Sequence, residues 1–136
     1  MIVKNRKASY DYNIKERLVA GLVLTGPEVK AFKKEGCDLS GAYCEIRNNE
    51  LYLVNCHIDC EKDKRRPRKL LLNRKEINRI NVARNVERCA LPILEVAVND
   101  VGLIKATIAV AKGKKQYDKR RSIRERDEKR MDGRTG

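Results

Sequence analysis

Residues 10–24 read YDYNIKERLVAGLVL, with Tyr10, Tyr12, Ile14, Leu18, Ala20, Leu22 and Leu24 on even positions and Asp11, Lys15 and Arg17 on odd ones. Successive side chains of a strand point to opposite faces, so this period of two describes a long strand with one face turned inward.

The same period returns downstream. Ala42, Cys44 and Ile46 alternate with Tyr43, Glu45 and Arg47; Asn48-Asn49-Glu50 then turns the chain into Leu51-Tyr52-Leu53-Val54, the signature of a hairpin. Leu91 to Val98 is followed by Asn99-Asp100-Val101-Gly102 and by Ile104, Ala106, Ile108 and Val110, a second hairpin rich in β-branched residues. Two helices interrupt the strands. Thr25-Gly26-Pro27-Glu28 has capping-box spacing, proline is tolerated in the first turn, and Val29 and Phe32 face inward until Gly36 stops the helix. Asn73 with Glu76 opens the other, whose inward stripe is Ile77, Ile80 and Ala83 or Arg84. A strand meander with short helices at its ends predicts a mainly β fold, a small antiparallel barrel with two or three peripheral helices. Such barrels close their own edges and often bind nucleic acid on one face.

Charge points the same way. The chain has 136 residues, one domain's worth, and a net charge of +13. Residues 62–75, KDKRRPRKLLLNRK, hold eight basic and one acidic side chain, and residues 112–136 hold eleven and five, while the remainder balances to zero. Two short basic segments predict a polyanionic partner. No uncharged run reaches the length of a membrane span, and the start, MIVKNRK, lacks the apolar stretch of a secretory signal. The expectation is a cytoplasmic protein with reduced cysteines.

Catalytic chemistry has little to stand on. Cys56, His57 and Cys60, with Cys37 and Cys44 nearby, raise the question of zinc, but C-H-x-x-C is not a usual metal-knuckle spacing and Cys44 falls on an inward face. Free cysteine is among the most buried residue types, so no metal is expected. His57 is the only histidine and no glycine-rich phosphate loop occurs. Neither a catalytic residue nor a cofactor is predicted.

RNA binding has more. Lys64-Arg65-Arg66-Pro67-Arg68-Lys69 lies at the rim of the folded body, where Arg offers a planar fork for phosphate and Lys a point charge. In Lys112-Gly113-Lys114-Lys115 the glycine permits close backbone approach, and Tyr117 supplies a ring on which a base can stack. Beyond Tyr117 the only sizeable apolar residues are Ile123 and Met131, so nothing offsets the entropy of ordering the tail alone. Ser122 with Glu125, and Glu125 with Lys129, nevertheless suit a helix, and Gly133 could end it. The chain thus divides into a barrel with a short N-terminal arm, residues 1–111, and a tail, residues 112–136, disordered in the free protein and helical against an acidic surface.

NRKASYDY, AGLVLTGPEVKAFK, LSGAY, RPRKLLLNRKEI and AKGKKQYDKR occur in the order seen in the small protein B family, the SsrA-binding proteins of bacteria, and the likeness covers essentially the whole chain. The resemblance implies an oligonucleotide-binding-like barrel that grips the tRNA-like domain of transfer-messenger RNA and escorts it to stalled 70S ribosomes in trans-translation. It implies a tail that enters the decoding centre and the empty mRNA channel, against small-subunit rRNA. On the matching motifs it implies RNA contacts at Asn5, Lys7, Glu28, Lys30, Arg68, Lys69, Leu71, Asn73, Lys112, Lys114 and Lys115. Tyr117, Asp118, Lys119 and Arg120 would act in the decoding centre, with Tyr117 where many relatives have histidine.

The family pattern is not matched everywhere. Val19 stands where relatives often have glutamate, the loop around residues 59–66 is shorter and lacks their aspartate-proline stretch, and the tail ends early at Gly136. The expectation is a monomeric RNA-binding adaptor without membrane contact. The alternatives are a general barrel-type RNA- or ribosome-binding module and, more remotely, an RNA-modifying enzyme.

Overall fold

The computed structural model describes residues 1–60 and 63–113. The long strand foreseen from residue 10 begins instead at Tyr12: β2 (Tyr12–Leu22) follows a short helix, α1 (Arg6–Asp11), which takes Tyr10. Asn5 overrides the local alternation by capping that helix, its side chain accepting from the Ala8 N–H, while its own N–H donates to the Leu94 carbonyl at 2.7 Å. Along β2 the even positions are the more buried throughout, ending with Ala20 and Leu22 in the core.

The other strands are β1 (Ile2–Lys4), β3 (Tyr43–Arg47), β4 (Glu50–Val54), β5 (Arg68–Leu71), β6 (Ile93–Val98) and β7 (Ile104–Gly113). All pairings are antiparallel, in the order β1-β6-β7-β2-β5-β4-β3. The sheet then curls until its far edge meets β6's approach: Tyr43 bridges Pro92, and the Cys44 N–H donates to the Leu91 carbonyl at 2.9 Å. That contact closes a barrel from β2 to β7, with β1 alongside β6. Register shifts between Ile14 and Glu16 in β2 and between Ile93 and Glu95 in β6 mark bulges, which bend a strand as closure requires.

Both hairpins form where expected. Asn48 and Asn49 take φ of 50° and 60°, the left-handed pair that a two-residue turn between twisted strands demands, and Arg47 faces Glu50 across it. At the other, the Asn99 side chain accepts from the Val101 and Leu103 N–H groups, at 3.1 and 2.9 Å.

The helices α2 (Gly26–Glu35) and α3 (Arg74–Asn85) each open with the full capping box, Thr25 with Glu28 and Asn73 with Glu76. α2 ends at Gly36, whose φ of 76° suits glycine. Phe32 from α2 and Ile80 and Ala83 from α3 enter one core with Leu51, Leu53, Ile58, Leu70, Val96, Ile108 and Val110. Of the two candidates on α3, Ala83 turns inward and Arg84 outward. Cys44, Cys56 and Cys89 are core residues. No helix among the described residues is long and apolar enough to cross a membrane.

Candidate nucleic-acid interface

The basic segment before β5 is largely neutralised by acidic and polar groups that folding brings to it from elsewhere. Arg68, expected to touch RNA, is wholly buried: its Nε donates to Glu28 Oε2 at 2.6 Å, and its Nη1 and Nη2 donate to the carbonyls of Cys56 and Lys64 at 2.7 and 3.1 Å. Glu28, likewise expected at the RNA, is 2% exposed and has no oxygen to spare. Its Oε1 accepts from the Thr25 N–H at 2.9 Å and from Arg66 Nη2, and its Oε2 from Arg66 Nε at 3.0 Å and from Arg68. Burial pushes this carboxyl up, but the hydrogen bonds from Arg66, the Thr25 backbone and Arg68, with the Arg68 charge, outweigh it and hold the pKa at about 2. The pair therefore pins α2 to the chain entering β5. Lys64 pairs with Asp59 at 2.9 Å, Arg65 donates to Asn55 at 2.9 Å, and Lys69 pairs with Glu50. Exposed Lys30, Arg74 and Lys75 keep their charge outward.

Among the described residues, two surfaces set exposed cations beside apolar or aromatic side chains. The first is the outer face of β2, β5 and β7. Gly21 lies opposite Leu71 on one side and Lys105 on the other, and a Cβ there would sit 3.6 Å from the Leu71 side chain and 3.7 Å from Lys105 Nζ. The glycine thus leaves a shallow dip between an apolar and a cationic side chain. Val19 and Leu71 are 60% and 54% exposed beside it. Asn73 lies two residues past Leu71 at the surface, its side-chain Oδ1 occupied by the Glu76 N–H at 2.8 Å.

The second is a cleft of about 590 Å³ between α1, the segment leading into β3 and the chain after α3. Its wall includes Asn5, Lys7, Tyr12, Tyr43, Arg84 and Arg88, and a second cleft shares Tyr43 and both arginines. Tyr43 is 47% exposed. An open aromatic ring among cations suits stacking and phosphate contact together. Asn5 is occupied by its cap and by donating to the Ile93 carbonyl at 3.1 Å, so it shapes the wall; Lys7 is exposed. Arg79 braces this region, reaching Glu16 of β2 at 2.8 Å and Glu87 at 2.7 Å.

Strand β7 runs through Lys112 and Gly113, which pair with Asn13 and Tyr12, so the ladder extends two residues past the expected end of the barrel. The chain leaves the sheet opposite Tyr12, a residue of the cleft wall. Lys114, Lys115, Tyr117, Asp118, Lys119 and Arg120 lie outside the described residues. Among the described residues no three His, Cys, Asp or Glu side chains group as a metal site requires. His57 is held by paired backbone bonds with Asp38, at 2.8 and 3.1 Å.

Comparison with known proteins gives this surface its context. The SmpB protein family model matches residues 2–135. The chain belongs to the SmpB protein family. Among similar relatives, the SsrA-binding proteins of Thermosipho africanus and Acholeplasma laidlawii are each 42% identical, over 93% and 96% of this chain and 90% and 91% of theirs. That of Rickettsia bellii is also 42% identical, over 96% of this chain and 91% of its own. A solved chain from "tmRNA-SmpB: a journey to the center of the bacterial ribosome" superposes with a TM-score of 0.69 at 34% identity, covering 85% of each chain. SmpB membership agrees with the fold expected from the sequence. Reading motifs one at a time passed over Tyr43, Arg84 and Arg88, which are exposed, and the half-buried Lys105. Alternation already put Tyr43 and Lys105 on outward positions, and Arg84 and Arg88 stand four apart; the signal was position, not motif.

Proposed function

We propose that this protein is the adaptor that binds the tRNA-like domain of transfer-messenger RNA and carries it to stalled ribosomes for trans-translation. The observation that carries this reading is the match over 85% of both chains to a solved tmRNA–SmpB structure, on the same barrel. The two open surfaces divide the work. The dip at Gly21, with Leu71, Lys105, Lys69 and Asn73, takes one RNA face through apolar and cationic contact. The cleft with Lys7, Tyr43, Arg84 and Arg88 takes another, with Lys112 at the end of β7 beside it.

Residues 117–136 then serve on the ribosome, where the Tyr117 ring stacks on a base and Asp118, Lys119 and Arg120 follow it into the decoding centre. The role calls for positioning and charge, with no catalytic side chain; it places the protein in the cytoplasm as a monomer. The test is a gel shift with transfer-messenger RNA run beside a peptide-tagging assay on the chain lacking residues 117–136. RNA affinity should stay within about tenfold, or ~1.4 kcal/mol, while tagging vanishes. Loss of RNA binding, or retained tagging, would refute this division. Equal affinity for any structured RNA would favour a general RNA-binding module.

A further inference from the structure

Arg88 takes a backbone conformation that its residue type does not favour. Its φ is 57°, in the left-handed region, where a side chain crowds the backbone and glycine sits without that cost. It is the third residue beyond the end of α3, between Glu87 and the fully buried Cys89. An exposed arginine kept where glycine fits better points to a duty for the side chain. The segment is held from three sides. The Glu87 N–H donates to the Val82 carbonyl at 3.1 Å and the Cys89 N–H to the Ala83 carbonyl at 2.8 Å, tying it back to α3. The third hold is Arg79. Its Nη1 donates to Glu87 Oε1 at 2.7 Å, while its Nε and Nη2 donate to Glu16 of β2 at 3.0 and 2.8 Å. One guanidinium thus fixes the residue before Arg88 to the helix and to the barrel wall. The planar fork spans both carboxylates; the point charge of a lysine does not.

Arg84 needs no such support. It sits in the last turn of α3, which fixes its place, and both arginines line the clefts beside Tyr43. Among the described residues no ion pair neutralises either of them, whereas Arg79 has its nitrogens turned to carboxylates. We propose that Arg79 is a positioning residue for RNA binding that acts through Arg88. Its bridge from Glu16 to Glu87 holds the left-handed segment so that Arg88 meets an RNA phosphate in the cleft, and Arg79 itself does not touch the RNA. This rests on the cleft serving as an RNA surface.

The test is a double-mutant cycle on the full-length protein. Affinity for transfer-messenger RNA is read by fluorescence anisotropy across a salt series, and folding by thermal unfolding. Arg88→Gly relieves the backbone while removing the cation, so the unfolding midpoint should hold or rise while the salt slope falls by about one and affinity drops with it. Arg79→Lys keeps the net charge but gives up the bridge. In the parent it should weaken RNA binding; in the Arg88→Gly background it should change nothing, because the group it acts through is gone. Glu87→Gln breaks the same hold from the other end. Added positive charge alone would tighten binding, so weaker binding is the sign expected of positioning. Equal losses from Arg79→Lys in both backgrounds would make Arg79 an RNA contact or a general support and overturn the proposal. Parent-like affinity in Arg88→Gly or Arg79→Lys, or tighter binding in Glu87→Gln, would do the same. The parent's preference for transfer-messenger RNA over another structured RNA tests the adaptor reading separately, and the cycle is readable on either RNA.

Discussion

Arg68 Nε donates to Glu28 Oε2 at 2.6 Å, with both residues almost fully withdrawn from solvent and every polar atom of the guanidinium and carboxylate partnered inside the protein. Removing one member of such a pair strands the other in a medium that penalises unpaired charge. Glu28→Ala should therefore cost about 3–5 kcal/mol, measured by urea unfolding. The loss should be much the same with RNA absent, which distinguishes a structural carboxylate from an RNA contact. A variant as stable as the parent but weak in RNA binding would return Glu28 to the interface.

The same carboxylate sets an acid limit. Its pKa is lowered from an ordinary 4.5 to about 2 in the folded chain, so the unfolded chain binds the extra proton first. Its contribution is complete above pH 4.5 and should fall away as the pH drops through 2. Thermal unfolding followed between pH 6 and pH 2 should show the midpoint falling within that window, and Glu28→Gln should flatten the fall.

RNA binding should be steeply salt-dependent. Each phosphate neutralised contributes about 0.7 to 0.9 to the slope of log affinity against log salt, and four to six contacts are expected, roughly. Arg84→Ala with Arg88→Ala should reduce the slope of binding to transfer-messenger RNA or ribosomes by about one per arginine that meets a phosphate. Fluorescence anisotropy across a salt series checks both; an unchanged slope would remove the cleft from the interface.

The β3–β4 turn offers a test of backbone conformation. Asn49 has φ of 60°, which asparagine tolerates and β-branched residues do not. Asn49→Gly should leave stability unchanged or slightly higher, whereas Asn49→Val should lower it by about 1–2 kcal/mol. Chemical denaturation of the two variants side by side decides the point.

What the sequence disclosed was local in origin. Thr25 with Glu28, Asn73 with Glu76, and the alternation through Ala20 and Leu22 depend on neighbours a few residues away, and each appears in the structure as expected. Tyr10 departs because Asn5 caps a short helix, using a carbonyl supplied by β6 that no local pattern announces. The pairing of the basic run around Pro67 was hidden for a related reason. Its cations were counted against their sequence neighbours, while Glu28, Glu50 and Asp59 reach them from other segments. Charge excess along a chain measures a partner's attraction only after folding has chosen which charges cancel.

The barrel's closure has a kinetic meaning. Its last side rests on a single bridge at Tyr43 and Pro92, and proline can donate no hydrogen bond, so the Cys44 amide carries that junction with the Leu91 carbonyl. The two edges are separated in the chain by two strands and α3, so joining them costs loop entropy for little return. The barrel should therefore behave as a clasp, fastened late in folding and unfastened early under stress. In hydrogen exchange the Cys44 amide should trade its proton well before those in the middle of β2 and β7, where the ladder is long and doubly supported.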